Sequence, residues 1–249
     1  MNGRPVANKK KPRTPTPPRR VQAPQQRTAD ETARQHRTAL YALSGAGIVA
    51  LVIVVIAIVA FGGGSNKVND KQVGTAMASA GCTFKSVPGF LPAGQNMHTS
   101  DINKTPMPWN TSPPSNGQHY FDWAVWGFYT QPINPRMVVH NEEHGGVIAW
   151  WGPKVAQTTV AKLKAWYDEE PTGSFGTPYA SLGSKVAITA WTGDPNRYQR
   201  NGYYGEGHIG ICSTYTDQTK KAFEAFRKAY RGKGPEGIPL SSDAPGLGP

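Results

Sequence analysis

The sequence predicts an α+β domain set behind a single transmembrane helix. An uncharged apolar run at residues 40–61 predicts the helix. Short β-rich segments alternating with amphipathic helical patterns between residues 137 and 231 predict the domain. A preceding stretch rich in Pro, Gly, Asn and aromatic residues reads as long irregular backbone.

In chain order, residues 1–39 form a basic tail. The first forty positions hold ten of the 27 Lys and Arg residues but only two of the 16 acidic ones, Asp30 and Glu31. Its prolines and charges prevent it from burying a core, so it is expected to be disordered. The run at 40–61 rises about 1.5 Å per residue, or about 33 Å in all, close to a hydrocarbon core of about 30 Å. The positive-inside rule then puts the N-terminus in the cytoplasm. The expected protein is single-pass in the cytoplasmic membrane, with its C-terminal domain extracytoplasmic and its tail able to touch anionic lipid. A cleaved signal peptide fits less well, because its apolar core is only about 7–15 residues and is followed by a small-residue cleavage site.

Residues 62–81 are expected to be a linker or stalk, 82–236 the extracytoplasmic α+β domain, and 237–249 a flexible C-terminal tail. Within the domain, residues 137–139, 146–151, 185–191 and 208–212 read as strands. Residues 157–169 read as a helix presenting Val160, Leu163 and Trp166 on one face. Residues 217–231 read as another, with Phe223, Phe226 and Tyr230 at helical spacing, Thr216 or Asp217 at its start and Gly232 at its end. The net charge is +11, but outside the tail it is nearly balanced, at 17 basic against 14 acidic residues. Nucleic acid is therefore not an expected partner.

Cys82 and Cys212 are the only cysteines. No C-x-x-C occurs, so neither a zinc ribbon nor a thioredoxin-type motif is supported. The two can form one disulfide in an oxidising compartment or stand as separate buried thiols.

Five of the six histidines lie beyond residue 61: His98, His119, His140, His144 and His208. His140 and His144 fall in H-N-E-E-H-G-G. On a helix, H-x-x-E-H would set both rings on one face to hold zinc, with Glu143 as base. Flanking β-branched residues and the Gly145-Gly146 pair argue instead for a strand–loop. Imidazole suits zinc and copper, and thioether suits Cu(I). The candidate metal set is thus His119, His140 and His144, with Glu143 as ligand or as the carboxylate that orients one. His98 and Met137 are further candidates. The competing reading is a hydrogen-bonded histidine pair holding a turn, with the methionines as packing. Glu143 and His144 could also transfer protons. No nucleophile stands near them, however, and Ser115 lacks a G-x-S-x-G setting.

Several motifs occur together: P-P-S-N-G-Q-H-Y at 113–120, G-x-Y at 127–129, V-H-N-E-E-H-G-G-V-I at 139–148, A-W at 190–191 and G-P-E at 234–236. Over roughly residues 80–236 the chain resembles the bacterial family catalogued as domain of unknown function 3105. The resemblance implies a membrane-anchored architecture and a site at His119, Tyr120, His140, Glu143, His144, Gly145 and Gly146. It implies no reaction. Two positions depart from the family pattern: Glu142 stands where an apolar residue is expected, and Asn116 shifts the P-P-S-G spacing.

The functional expectation is a tethered binding domain holding copper or zinc through the histidine cluster. One alternative is a cofactor-free structural or interaction protein of the cell envelope, whose Trp and Tyr residues would contact a protein or glycan partner. Another is a metal-dependent hydrolase, which would need an open coordination position.

Overall fold

The computed structural model describes residues 66–249. The basic tail, the apolar run at 40–61 and the start of the linker lie outside the described residues. Among the described residues no helix is long and apolar enough to cross a membrane. A span needs about 20 predominantly apolar residues, whereas the longest helices here have 14 and carry charged residues. Among the described residues, then, the expected transmembrane fold and the membrane partner and location built on it are corrected: no span is found there.

Four helices and a five-stranded sheet make up the domain. Helix α1 covers Asn66–Ser79, α2 Pro135–His144, α3 Gln157–Glu169 and α4 Asp217–Tyr230. Strands β1 (Thr83–Pro88), β4 (Val147–Trp151), β5 (Ser174–Pro178), β6 (Val186–Thr192) and β7 (Glu206–Cys212) form one sheet in the order β1-β7-β6-β4-β5. All neighbours are antiparallel except β4 and β5, which run parallel and are joined through α3. Two short strands, β2 (His98–Thr99) and β3 (His119–Tyr120), pair parallel to each other outside it.

The period-2 alternation of β4 and β6 divides the core into two layers. Val147, Ala149, Val186, Ile188 and Ala190 face α1, α3 and α4, meeting Met77, Leu163, Trp166, Phe223 and Phe226. Each fully buried Val, Ile, Leu, Met or Phe among them contributes about 1.5–3 kcal/mol. Ile148, Trp150 and Ala187 face the other way, toward Val138 of α2, Trp126 and Phe175. Both faces are covered, and for this reason β4 and β6 are buried along their whole length.

The strands expected at 146–151, 185–191 and 208–212 and the helices at 157–169 and 217–231 are present within a residue or two. Thr216 caps α4, its hydroxyl accepting from Thr219 N. Cys82 and Cys212 are bridged, tying the turn after α1 to the end of β7. Three expectations are corrected. Residues 137–139 are helix, because Pro135 occupies the first turn and the Asn134 side chain accepts from Arg136 N, a strong start signal. Residues 83–88, placed in the irregular stretch, form edge strand β1. Residues 237–249, expected to be loose, pack back on the domain: Leu240–Asp243 is a 3₁₀ turn, and Trp126 exchanges backbone hydrogen bonds with Gly246 and Leu247.

Candidate metal centre

Helix α2 lies on the second face of the sheet, buried from Val138 to His144. Gly145 adopts φ 114°, a left-handed conformation, and its N–H closes onto Asn141 and Glu142 carbonyls, ending the helix just after the second histidine. The 3.6-residue period thus puts His140, Glu143 and His144 on one side, while Glu142 points at the sheet. Asn141 fastens the preceding segment, exchanging two hydrogen bonds with the Ala124 backbone at 3.0 and 2.8 Å.

The other ligand candidates come from the long irregular segment. The β2–β3 register sets His98 directly opposite His119, and their rings lie 4.7 Å apart. His140 completes a triangle, 4.9 Å from His98 and 4.8 Å from His119. All three Nε2 atoms turn toward one oxygen. Glu143 Oε2 lies 3.1 Å from His98, 3.0 Å from His119 and 3.9 Å from His140. The other oxygen of Glu143 accepts from the Tyr198 hydroxyl.

The far nitrogens are committed elsewhere. His119 Nδ1 donates to Gly117 O at 2.8 Å and His140 Nδ1 to Tyr120 O at 3.1 Å. A carbonyl only accepts, so each Nδ1 carries the hydrogen. In a neutral ring Nε2 is then a bare lone pair. His119 Nε2 is buried and makes no hydrogen bond of good geometry, although Glu143 Oε2 lies 3.0 Å away. Burial and the neighbouring His119 push His140 down to about 3, so it is neutral at ordinary pH. His98 is shifted upward by its hydrogen bond to Glu143. Burial works to raise Glu143, but the imidazoles and Tyr198 outweigh it and hold the carboxyl below the usual range.

One donor atom each from His98, His119, His140 and Glu143 lies within 4.8 Å of all the others, so the group could hold a metal ion. Tetrahedral bonds of about 2.0–2.1 Å put ligand atoms about 3.3–3.4 Å apart, and the three Glu143 separations bracket that value. His98 is the exposed edge of the group, with 30% of its side chain accessible. A cavity of about 380 Å³ opens beside it, lined by Met97, Phe121, Gln199 and Tyr204 among others.

The family described as protein of unknown function (DUF3105) matches residues 101–239, more than half of the 249 positions. The chain belongs to this family. The match takes in His119, His140, Glu143, His144 and Glu236, and His98 lies three residues before it. No curated protein and no solved structure matches the chain. The chemistry of this DUF3105 domain therefore has to be read from its own residues.

The sequence-predicted candidates divide. His98, His119, His140 and Glu143 converge. His144 lies to one side, its ring 4.8 Å from His140, and meets Glu236 and Asp243 instead. Met137 packs with the apolar cluster of Val138, Ile148 and Trp150. Met97 packs with Val139 and Trp191. Ser115 is buried against the Thr111 hydroxyl at 2.9 Å, and His208 is buried between Ser86 and Thr192 on another part of the sheet. Tyr198 and Asp243 had no signal in the sequence. Glu236 had one, as the last residue of G-P-E.

Proposed function

We propose that this DUF3105 domain binds a zinc ion tightly through His98, His119, His140 and Glu143. One observation carries the reading: the buried His119 Nε2 has no hydrogen-bond partner, and the carboxylate oxygen 3.0 Å away is itself an acceptor. Two acceptors that close need a positive charge between them, either a proton or a cation. The backbone carbonyls holding Nδ1 of His119 and His140 are the supports that fix the tautomer of a ligating imidazole. Tyr198 does the same for the carboxylate.

The donor chemistry favours zinc over Cu(I). Three nitrogens and one oxygen form a borderline set, and the cysteines are joined in a disulfide rather than free as thiolates. Met97 and Met137, the methionines near His98 and His140 in sequence, pack in apolar clusters. Four protein donors fill a tetrahedral shell, the arrangement of a binding or structural site. A hydrolytic site would keep one position for water.

The test is metal analysis of the purified full chain, alone and as His119→Ala. The expected result is one tightly held zinc in the parent and its loss in the variant. A parent protein that takes up no stoichiometric zinc would sink the reading.

A further inference from the structure

We propose a second cation position beside the first, formed by His144 and Glu236, with Asp243 as the residue that positions His144. The inference rests on the metal reading of the first site. It concerns a different set of atoms, which lie at the C-terminal end of α2 and on the segment after α4.

His144 offers its two nitrogens in opposite directions. Nε2 faces Glu236 Oε2 at 3.6 Å. One donor atom each from His140, His144 and Glu236 lies within 4.8 Å of the others, a group that could hold a metal. His140 has a single free nitrogen, and that serves the first position. The second ion would therefore take His144 and Glu236 from the protein and complete its shell with water. The Trp123 ring lies 4.8 Å from the His144 ring and 5.4 Å from His140, walling one side.

The independent observation is on the far edge of the ring. Asp243 is fully buried, and neither of its oxygens has a hydrogen-bond partner. Its Oδ1 lies 3.7 Å from His144 Nδ1, just beyond hydrogen-bond reach. A buried carboxylate aimed at the back of an imidazole is the arrangement that fixes a ligating histidine, holding the proton on Nδ1 and leaving Nε2 as the donor. Without His144 as its partner this carboxylate would be buried without compensation.

The backbone shows why Glu236 arrives here. The G-P-E turn lies directly on the end of α2: a side chain at Gly234 would come within 2.3 Å of Glu143 O and Gly145 N. Gly232 N donates to Gly145 O at 2.8 Å, and Glu236 N to Glu143 O at 3.5 Å. The H-G-G and G-P-E motifs are thus two halves of one backbone contact, and that contact delivers the carboxylate. Glu236 keeps 27% of its side chain accessible where Glu143 keeps none. The second ion is accordingly the weaker and more exchangeable of the two.

The experiment is a zinc titration of the chelator-stripped full chain, read by calorimetry and by metal analysis after dialysis at fixed free zinc. Two equivalents are expected, the second at least tenfold weaker. Glu236→Gln should remove the weaker one and leave the tight one, and the isosteric amide at this half-buried position leaves folding intact. Asp243→Asn should weaken the second by about ten- to a hundredfold, while His119→Ala removes the tight one. A single equivalent in the parent, or a weaker equivalent that neither variant at 236 nor 243 changes, overturns the second position and leaves the first standing. No zinc at all overturns both.

Discussion

His119 Nε2 and Glu143 Oε2, both buried, face each other at 3.0 Å with no aligned hydrogen bond between them. A bound cation would relieve that contact and, by binding only the folded chain, stabilise it. At a free zinc concentration 100 times Kd the gain is about 2.7 kcal/mol. Thermal melts should therefore show a Tm that rises with zinc and falls with chelator. In His119→Ala the response at low zinc, where only the tight position fills, should be lost. An equal response in parent and variant would place the stabilising ion elsewhere.

Much of this site could be anticipated from sequence, because H-x-x-E-H and Q-H-Y carry its donors. Its geometry could not. Val138 and Val139 bias the local reading toward a strand, but burial of α2 on every side removes the need for a polar helix face, and Asn134-Pro135 starts the helix regardless. The pairing of His98 with His119 depends on a two-residue parallel ladder across 21 positions, which no local period encodes. Asp243 comes from a Gly/Pro-rich end that composition marks as loose. The main sheet was more legible, since β4 is a continuous apolar run and β6 is nearly one. Edge strand β1, half exposed and ending in Pro88, was not.

Glu142 is fully buried, with one oxygen accepting from Thr189 and the other unpartnered. Burial pushes its carboxyl well above the usual range, so the folded state keeps a proton that the unfolded chain releases above about pH 4.5. Stability from this group therefore falls as pH rises. Glu142→Leu, which restores the apolar residue the family pattern leads one to expect, should stabilise the domain by about 1–3 kcal/mol near pH 7. The gain should shrink toward pH 4. Denaturant unfolding at the two pH values measures both.

His208 provides the opposite slope. It is fully buried, hydrogen-bonded to Ser86 and Thr192 and stacked on Tyr230 at 3.9 Å. Burial pushes it down to about 4 from 6.5, against the pull of Asp70. Between those values the unfolded chain binds the extra proton. Stability is complete above about pH 6.5 and is lost as pH falls toward 4, by an amount on the order of 3 kcal/mol. In His208→Gln the pH dependence across that window should flatten, whatever the variant's absolute stability.

The Cys82–Cys212 bridge spans 130 positions of sequence. Closing so long a loop restricts the unfolded chain, and removal of a native bridge of this kind costs about 2–5 kcal/mol. The double Cys→Ala variant should unfold at correspondingly lower denaturant. Because the bridge lies on the helix-covered face opposite α2, zinc stoichiometry at 25 °C should not change.

Gly234 tests whether the two motifs act as one unit. A methyl group there meets backbone atoms, Glu143 O and Gly145 N at 2.3 Å, rather than a side chain that could swing aside. Gly234→Ala must therefore separate the segment after α4 from the end of α2, at a cost of about 1–3 kcal/mol. The displaced segment carries Glu236 and leads to Asp243, whereas His98, His119, His140 and Glu143 are held by other contacts. The weaker zinc equivalent should be lost and the tight one kept, with Tm lowered in the absence of metal. If the tight site were lost and the weaker one kept, the G-P-E turn would be a support for the first position.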